Sequence, residues 1–367
     1  MSNATHDIDK QPVWAWVAPA AACLLLALKF TGLVPAASPL VLILAALLLG
    51  GAVFAAVHHA EIIALRVGEP FGSIVLAIAV TVIEVALIVS IMVSAKEGGE
   101  ELARDTVFAT VMMVLNGIIG LCLVMGGARH HQQSFQTDAS AAALSVLGTL
   151  AVITLVLPNY TLATPGPAYA PSQLILVGAV SLILYGVFLF VQTIRHRDYF
   201  LSEVESPDGA HAATPAARTA LISLALLGLS LGAVVLLAKA LSPSLEGAVD
   251  AAGLPKSFVG VVIAAVVLLP EGLAAVGAAR ANQLQTSLNL SLGSAMATIG
   301  LTIPVVSAVS LGLGQGLTLG LAPTEMVLLL LTLFISTVTL ATGRTTILQG
   351  AVHLVIFAVF LFLAAVP

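Results

Sequence analysis

The stretch FGSIVLAIAVTVIEVALI, residues 71–88, decides how this chain folds, because FVGVVIAAVVLLPEGLAA, residues 258–275, repeats it at a constant offset of 187. Phe71 falls on Phe258, Val75 on Val262, Ala77 on Ala264, Val80 on Val267 and Glu84 on Glu271. Identities between apolar residues carry little weight by themselves. The glutamates carry it: an ionisable side chain in the middle of an apolar run is rare, and here one stands at the same depth in both copies. The same offset pairs Thr137-Asp138 with Thr324-Glu325, and an offset of 180 pairs Ile119-Gly120-Leu121 with Ile299-Gly300-Leu301.

Around these copies the composition is that of a membrane protein. The 367 residues are 59% hydrophobic and only 8% charged, against about a quarter charged in a soluble domain, and the mean hydropathy is +1.11. Apolar runs of about 20 residues recur along the chain, each long enough to cross a hydrocarbon core of about 30 Å as a helix. The expected fold is therefore an all-α polytopic membrane protein in a lipid bilayer; a soluble enzyme, a nucleic-acid binder and a secreted scaffold are excluded. Cys23 and Cys122 both lie inside apolar runs and build neither a disulfide framework nor a zinc site. The net charge of −5 comes with no basic block for nucleic acid. The run from Trp14 to Val34 exceeds a signal-peptide core and has no basic leader beyond Lys10, so it reads as a first span.

Turn residues and charges divide the chain into eleven spans, at about 13–34, 39–62, 70–95, 106–126, 138–157, 172–195, 218–241, 257–279, 285–309, 323–342 and 345–366. With the copies superimposed, residues 1–38 hold a tail and one extra transmembrane helix, 39–195 a first five-helix repeat, 196–217 an acidic linker and 218–367 a second five-helix repeat. Five is odd, so the second copy enters the membrane from the opposite side. Inverted repeats belong mainly to secondary transporters and place the binding site near the midplane, where Glu84 and Glu271 are expected to face each other. Eight of the thirteen Lys and Arg fall on the side of the N-terminus, which places that end and the linker, with Asp198, Glu203, Glu205 and Asp208, in the cytoplasm and the C-terminus outside.

A carboxylate in hydrocarbon costs several kcal/mol unless it is protonated, paired or metal-bound. No Lys or Arg stands near mid-span beside either glutamate. Two states remain: two protons, or a cation held between the carboxylates, for which calcium, with six to eight oxygen ligands, is charge-matched. An empty, doubly ionised pair is the state to avoid, so the ion leaves as protons arrive and exchange becomes obligatory. Thr81, one turn before Glu84, and Asn116, Ser291 and Ser294 on the adjoining spans are candidate ligands, with Asn289 adding polarity; the competing reading is that Ser and Thr bond their own helix. Pro270 cannot donate to the carbonyl of Val266 and, with Gly272, exposes a backbone oxygen beside Glu271. His58, His59 and Glu61 form a second cluster, read either as a proton entrance or gate, since histidine titrates near neutrality, or as an anchor of the span end. His353 reads as an interhelical hydrogen-bonding residue, and Asp138 and Glu325 as helix caps.

The runs His58-His59-Ala60-Glu61, Arg66-Val67-Gly68-Glu69-Pro70-Phe71-Gly72 and Thr81-Val82-Ile83-Glu84 resemble the ChaA-type bacterial calcium/proton antiporters. So do Asn116-Gly117 with Gly120-Leu121, His196-Arg197-Asp198, Pro270-Glu271-Gly272, and Leu292-Gly293-Ser294 with Ile299-Gly300-Leu301-Thr302. The resemblance implies the cation/proton exchanger branch of the calcium/cation antiporter superfamily, with its acidic residues in the third and eighth spans, here Glu84 and Glu271. Calcium exchangers of that branch carry Gly-Asn where this chain has Val80-Thr81 and Val267-Leu268. Fewer oxygens suit a less demanding cation, which makes sodium or potassium the alternative cargo.

The expectation is an antiporter of a bacterial inner membrane that uses no cofactor and exchanges cytoplasmic calcium for protons by alternating access. A passive cation channel is the rival, although opposed glutamates in a channel more often form a ring contributed by several subunits. An intramembrane enzyme needs ligand clusters such as His-Glu-x-x-His, which do not occur.

Overall fold

The computed structural model describes residues 11–34, 38–68, 71–94, 99–200 and 214–367. Glu69, Lys96, Glu203, Glu205 and Asp208, and with them most of the acidic linker, lie outside the described residues. In chain order the long helices are α1 (Val13–Phe30), α2 (Pro39–Val67), α3 (Phe71–Ser94), α4 (Gly99–His130), α5 (Thr137–Tyr160), α6 (Pro171–Arg195), α7 (Ala217–Ala251), α8 (Phe258–Arg280), α9 (Leu284–Leu313), α10 (Pro323–Leu340) and α11 (Ile347–Ala365). Among the described residues ten of them are long and apolar enough to cross a membrane, and α3 adds 24 residues with an apolar stretch at Val75–Ser90. The protein is a polytopic all-helical membrane protein. Helices serve here because lipid offers no partner for a free amide or carbonyl, and a helix satisfies both internally.

Chain chemistry sets the helix starts. Pro171 and Pro323 stand in the first turns of α6 and α10, where a missing amide costs nothing. The third helical side chain reaches back to the amide before the helix in both: Gln173 to Ala170 (3.0 Å) and Glu325 to Ala322 (2.9 Å), as Gln349 does to Thr346 in α11 (2.8 Å). Glu325 is thus the cap it was expected to be. The helices outrun the hydropathy boundaries furthest at α2, α4 and α7. α2 continues to Val67 and carries His58, His59 and Glu61 on helical backbone; α4 begins at Gly99; and α7 runs through Pro243 to Ala251, where a connection from 241 to 256 was expected. Polar residues end a lipid crossing without ending a helix, and Ser242 bonding to Glu246 one turn on (3.0 Å) supports the extension.

Among the described residues four helices contain π-turns, at Met113–Ile118 in α4, Val152–Val156 in α5, Val191–Arg195 in α6 and Thr298–Thr302 in α9. Such turns shift the helical register and free carbonyls. The Ile153 carbonyl is taken by the Tyr169 hydroxyl (2.6 Å), whose burial pushes its pKa up to about 12, so it remains a donor at physiological pH.

The helices group into two compact units. One contains α1, α2, α3 and α7; the other contains α4, α5, α6 and α8 to α11. This division follows packing and cuts across the order of the two sequence copies. In the first unit α2 lies along α7, with α1 and α3 against both. In the second unit two loop ties hold helix ends together. The connection after α4 pairs with the one before α11 as a two-residue antiparallel ladder, Gln133 opposite Thr345. The connection before α6 bridges to the one before α10, Ala168 opposite Thr318.

Candidate ion site

Glu84 lies on the buried face of α3. Val80, Thr81, Leu87 and Ile88, three and four residues to either side, are buried with it, while Ile78 and Val82 are exposed. The carboxylate residue itself is 3% exposed. Thr81 donates its hydroxyl to the Ala77 carbonyl one turn back (2.8 Å), the own-helix bond that was the competing expectation. That bond uses the proton and leaves oxygen lone pairs available to a cation.

Glu271 occupies the matching position of α8, where it is half-buried and Ala274, three residues on, is exposed. Ala264, Val267, Leu268 and Ala275 are buried on its side, and Leu269 and Leu273 point outward. The α9 hydroxyl of Ser294 donates to Glu271 Oε2, so a predicted ligand and a predicted carboxylate do meet. Gly272 is a close approach: a Cβ there would stand 3.2 Å from Ile118, at the end of the α4 π-turn, so the lack of a side chain brings that turn against the glutamate's own turn. Pro270 sits inside α8 without breaking it, and the α-helical partner of the Val266 carbonyl is missing as the sequence requires. Ser291, one turn before Ser294, is buried and donates to Ser287 in its own helix (2.9 Å).

Two other predicted residues have different engagements. Asn116, fully buried in the α4 π-turn, donates to Thr332 of α10 (2.9 Å) and accepts at Oδ1 from His353 Nδ1 of α11 (3.1 Å). His353 in turn contacts Thr339 through Nε2 (3.1 Å). Both ends of the amide are used in joining three helices, and His353 is the interhelical residue it was expected to be. Asn289 lies near the start of α9, where it donates to the Phe200 carbonyl and accepts from Gln285 (2.8 Å).

Sequence reasoning passed over Tyr185, which is buried on α6 and within electrostatic reach of Glu271. It packs on Gly300, where a Cβ would fall 2.6 Å from that of Tyr185. Gly120, paired with Gly300 by the repeat offset, plays the same part toward α11, with a Cβ 3.0 Å from that of His353. A tyrosine in mid-span, whose hydroxyl needs a partner when buried, was the available signal. Among the described residues no three His, Cys, Asp or Glu side chains gather as metal ligands.

Of the second cluster, His59 is buried and bonds through Nε2 to the Ala15 carbonyl of α1 (3.1 Å). His58 is half-buried against Trp14, ring centroids 5.3 Å apart, and Glu61 is exposed. Anchoring is what the geometry of the first unit displays for His59.

Two separate segments, 37–194 and 222–366, match the family described as sodium/calcium exchanger protein, and together they cover most of the chain. The chain belongs to that family. As an exchanger-family member it is a multi-pass transporter rather than an enzyme. It is similar to the y4hA protein of Sinorhizobium fredii, an ionic transporter by name, with 58% identity over 97% of each chain. It is 37% identical to the sodium-potassium/proton antiporter ChaA of Escherichia coli over 84% of each chain, which carries the ChaA-type resemblance. In fold it is similar to the solved structure of YfkE, with a TM-score of 0.73 at 16% identity, covering 96% of this exchanger and all of that chain.

Proposed function

We propose that this exchanger is a cation/proton antiporter of a bacterial inner membrane that moves calcium out of the cytoplasm as protons enter, Glu84 and Glu271 taking up cation or protons in turn. The observation that carries the reading is that Glu84 is buried in mid-span and Glu271, half-buried at the matching position, is already bonded by the hydroxyl of Ser294. A carboxylate in that setting needs a proton or a cation, and competition between the two makes exchange obligatory. Thr81, Ser291 and Ser294 supply hydroxyl oxygens. Asn116 enters the ligand set only if its amide leaves Thr332 and His353. Glu61 and His58 keep the position of a proton entrance.

Two observations support inverted repeats as the frame for alternating access. The two family-matched segments, 37–194 and 222–366, fall within a few residues of the two copies, 39–195 and 218–367. The two loop ties of the second unit exchange places when the copies are exchanged: the connection after α4 corresponds to the one after α9, and the partner of each corresponds to the partner of the other. Eight Lys and Arg against five support a cytoplasmic N-terminus.

Sodium or potassium is the second reading. It is favoured by Val80-Thr81 and Val267-Leu268 at the positions before the glutamates, and by the name of the 37% identical relative. The test is a pH gradient imposed on proteoliposomes of the purified protein, collapsed by calcium, sodium or potassium. Collapse by calcium at the lowest concentration supports the first reading, and collapse by a monovalent ion alone supports the second. Cation flux that proceeds equally with no counter-flow of protons overturns both.

A further inference from the structure

Pro19 stands inside α1 and has no amide to give the carbonyl of Ala15, four residues before it. A carbonyl left bare in the hydrocarbon region is costly, and transmembrane helices keep internal prolines only where a neighbour re-satisfies the freed group. His59 of α2 does so, with Nε2 3.1 Å from the Ala15 oxygen. A carbonyl only accepts, so Nε2 carries the hydrogen. The other ring nitrogen, Nδ1, is buried with no hydrogen-bond partner among the described residues, and a hydrogen there would be stranded, which assigns the ring the neutral Nε2–H tautomer.

Further contacts run the length of the same helix. Gln11 donates to Ser223 of α7 (2.7 Å) before the start of α1, and Lys29 near its other end donates to the Ala240 carbonyl of α7 (3.2 Å). Between them Ala18 meets Gly51, where a Cβ would lie 3.3 Å from that of Ala18. Release of α1 would strand the Ala15 carbonyl and the His59 ring at once.

We propose that His59 is a positioning residue that latches the extra helix α1 to α2 by replacing the amide Pro19 lacks, and that α1 stays docked on α2 throughout exchange. The latch goes beyond the transport reading and does not depend on which ion is carried.

A double-mutant cycle read by thermal melting in detergent tests the latch. His59→Leu lowers the melting midpoint by about 3–6 °C in the native background. In the Pro19→Ala background, where residue 19 supplies its own amide, the same change costs less than half as much. His59→Gln, which retains an amide donor of similar reach, restores most of the loss and guards against a folding defect. Equal losses in the native and Pro19→Ala backgrounds, or no rescue by glutamine, overturn the latch. For permanence of docking, Ala18→Cys with Gly51→Cys is oxidised in a background lacking Cys23 and Cys122, at a Cβ separation close to that of a disulfide. Exchange within about twofold of the reduced protein is expected. Failure of the pair to cross-link, or loss of exchange on oxidation that reduction restores, overturns it. The melting cycle does not use transport, so its outcome stands apart from any failure of the antiport reading.

Discussion

Glu84 and Glu271 stand at matched positions of two sequence copies, yet the helices beneath them are built differently. α3 runs through Glu84 with every backbone amide available, and the adjacent hydroxyl, Thr81, bonds its own helix. α8 carries Pro270 and Gly272 on either side of Glu271, and the hydroxyl that reaches the carboxylate comes from another helix, α9. One copy presents its carboxylate from a continuous rod, the other from a turn in which Pro270 frees the Val266 carbonyl. On the proposed reading both copies keep the charge that exchange requires, while the proline and glycine that flank Glu271 have no counterpart beside Glu84, where Ile83 and Val85 stand.

The comparison breaks first at the carboxylates. Glu84→Gln and Glu271→Gln should each reduce cation-driven collapse of the pH gradient by about a hundredfold or more, since losing even an outer partner of a metal ligand costs about 10–100-fold. Retained exchange in either variant removes that residue from the site. Next come the hydroxyls, where the copies should part. Ser294→Ala raises the half-saturating cation concentration by about tenfold, because a hydrogen bond to a charged group contributes about 1.5–3 kcal/mol and tenfold corresponds to about 1.4 kcal/mol. Thr81→Val changes it by less than about threefold, its hydrogen bond being to its own backbone. The reverse order would make the first copy the richer source of ligands.

Pro270→Ala sharpens the contrast by making α8 resemble α3. The restored amide raises the melting midpoint by several degrees, as expected where a proline costing about 3 kcal/mol in a helix interior is removed. If the Val266 carbonyl serves the cation, half-saturation should rise by about threefold in the same variant; a stability gain with unchanged affinity leaves that carbonyl out of the site. The smallest effect is expected at Gly272→Ala, where Ile118 has to move by only a few tenths of an ångström: exchange should stay within about twofold of wild type, and melting should fall slightly.

Much of this protein could be read before any coordinates. Among the described residues the long helices lie where apolar runs place them, because a membrane crossing demands a minimum apolar length. The mid-span glutamates stand out since charge there is costly and rarely kept without use. Helix ends were less legible: α7 runs through Pro243 to Ala251 because a helix leaving the lipid meets no penalty for polar side chains. Asn116 shows the limit for the site. It was expected as an ion ligand, but its amide is taken by Thr332 and His353, which lie more than 200 residues away in sequence and leave no mark in its local spacing.

Residue order alone dictated the crossings, the matched stretches 71–88 and 258–275 and the two acidic positions within them, for these depend on local hydropathy and on a similarity visible along one dimension. Which oxygens each acidic side chain meets, which glycines admit a neighbouring helix and which histidine captures the carbonyl that Pro19 sets free were decided only by packing. Those contacts join residues distant along the chain, and a hydrogen bond depends on direction and distance in space that linear spacing does not encode.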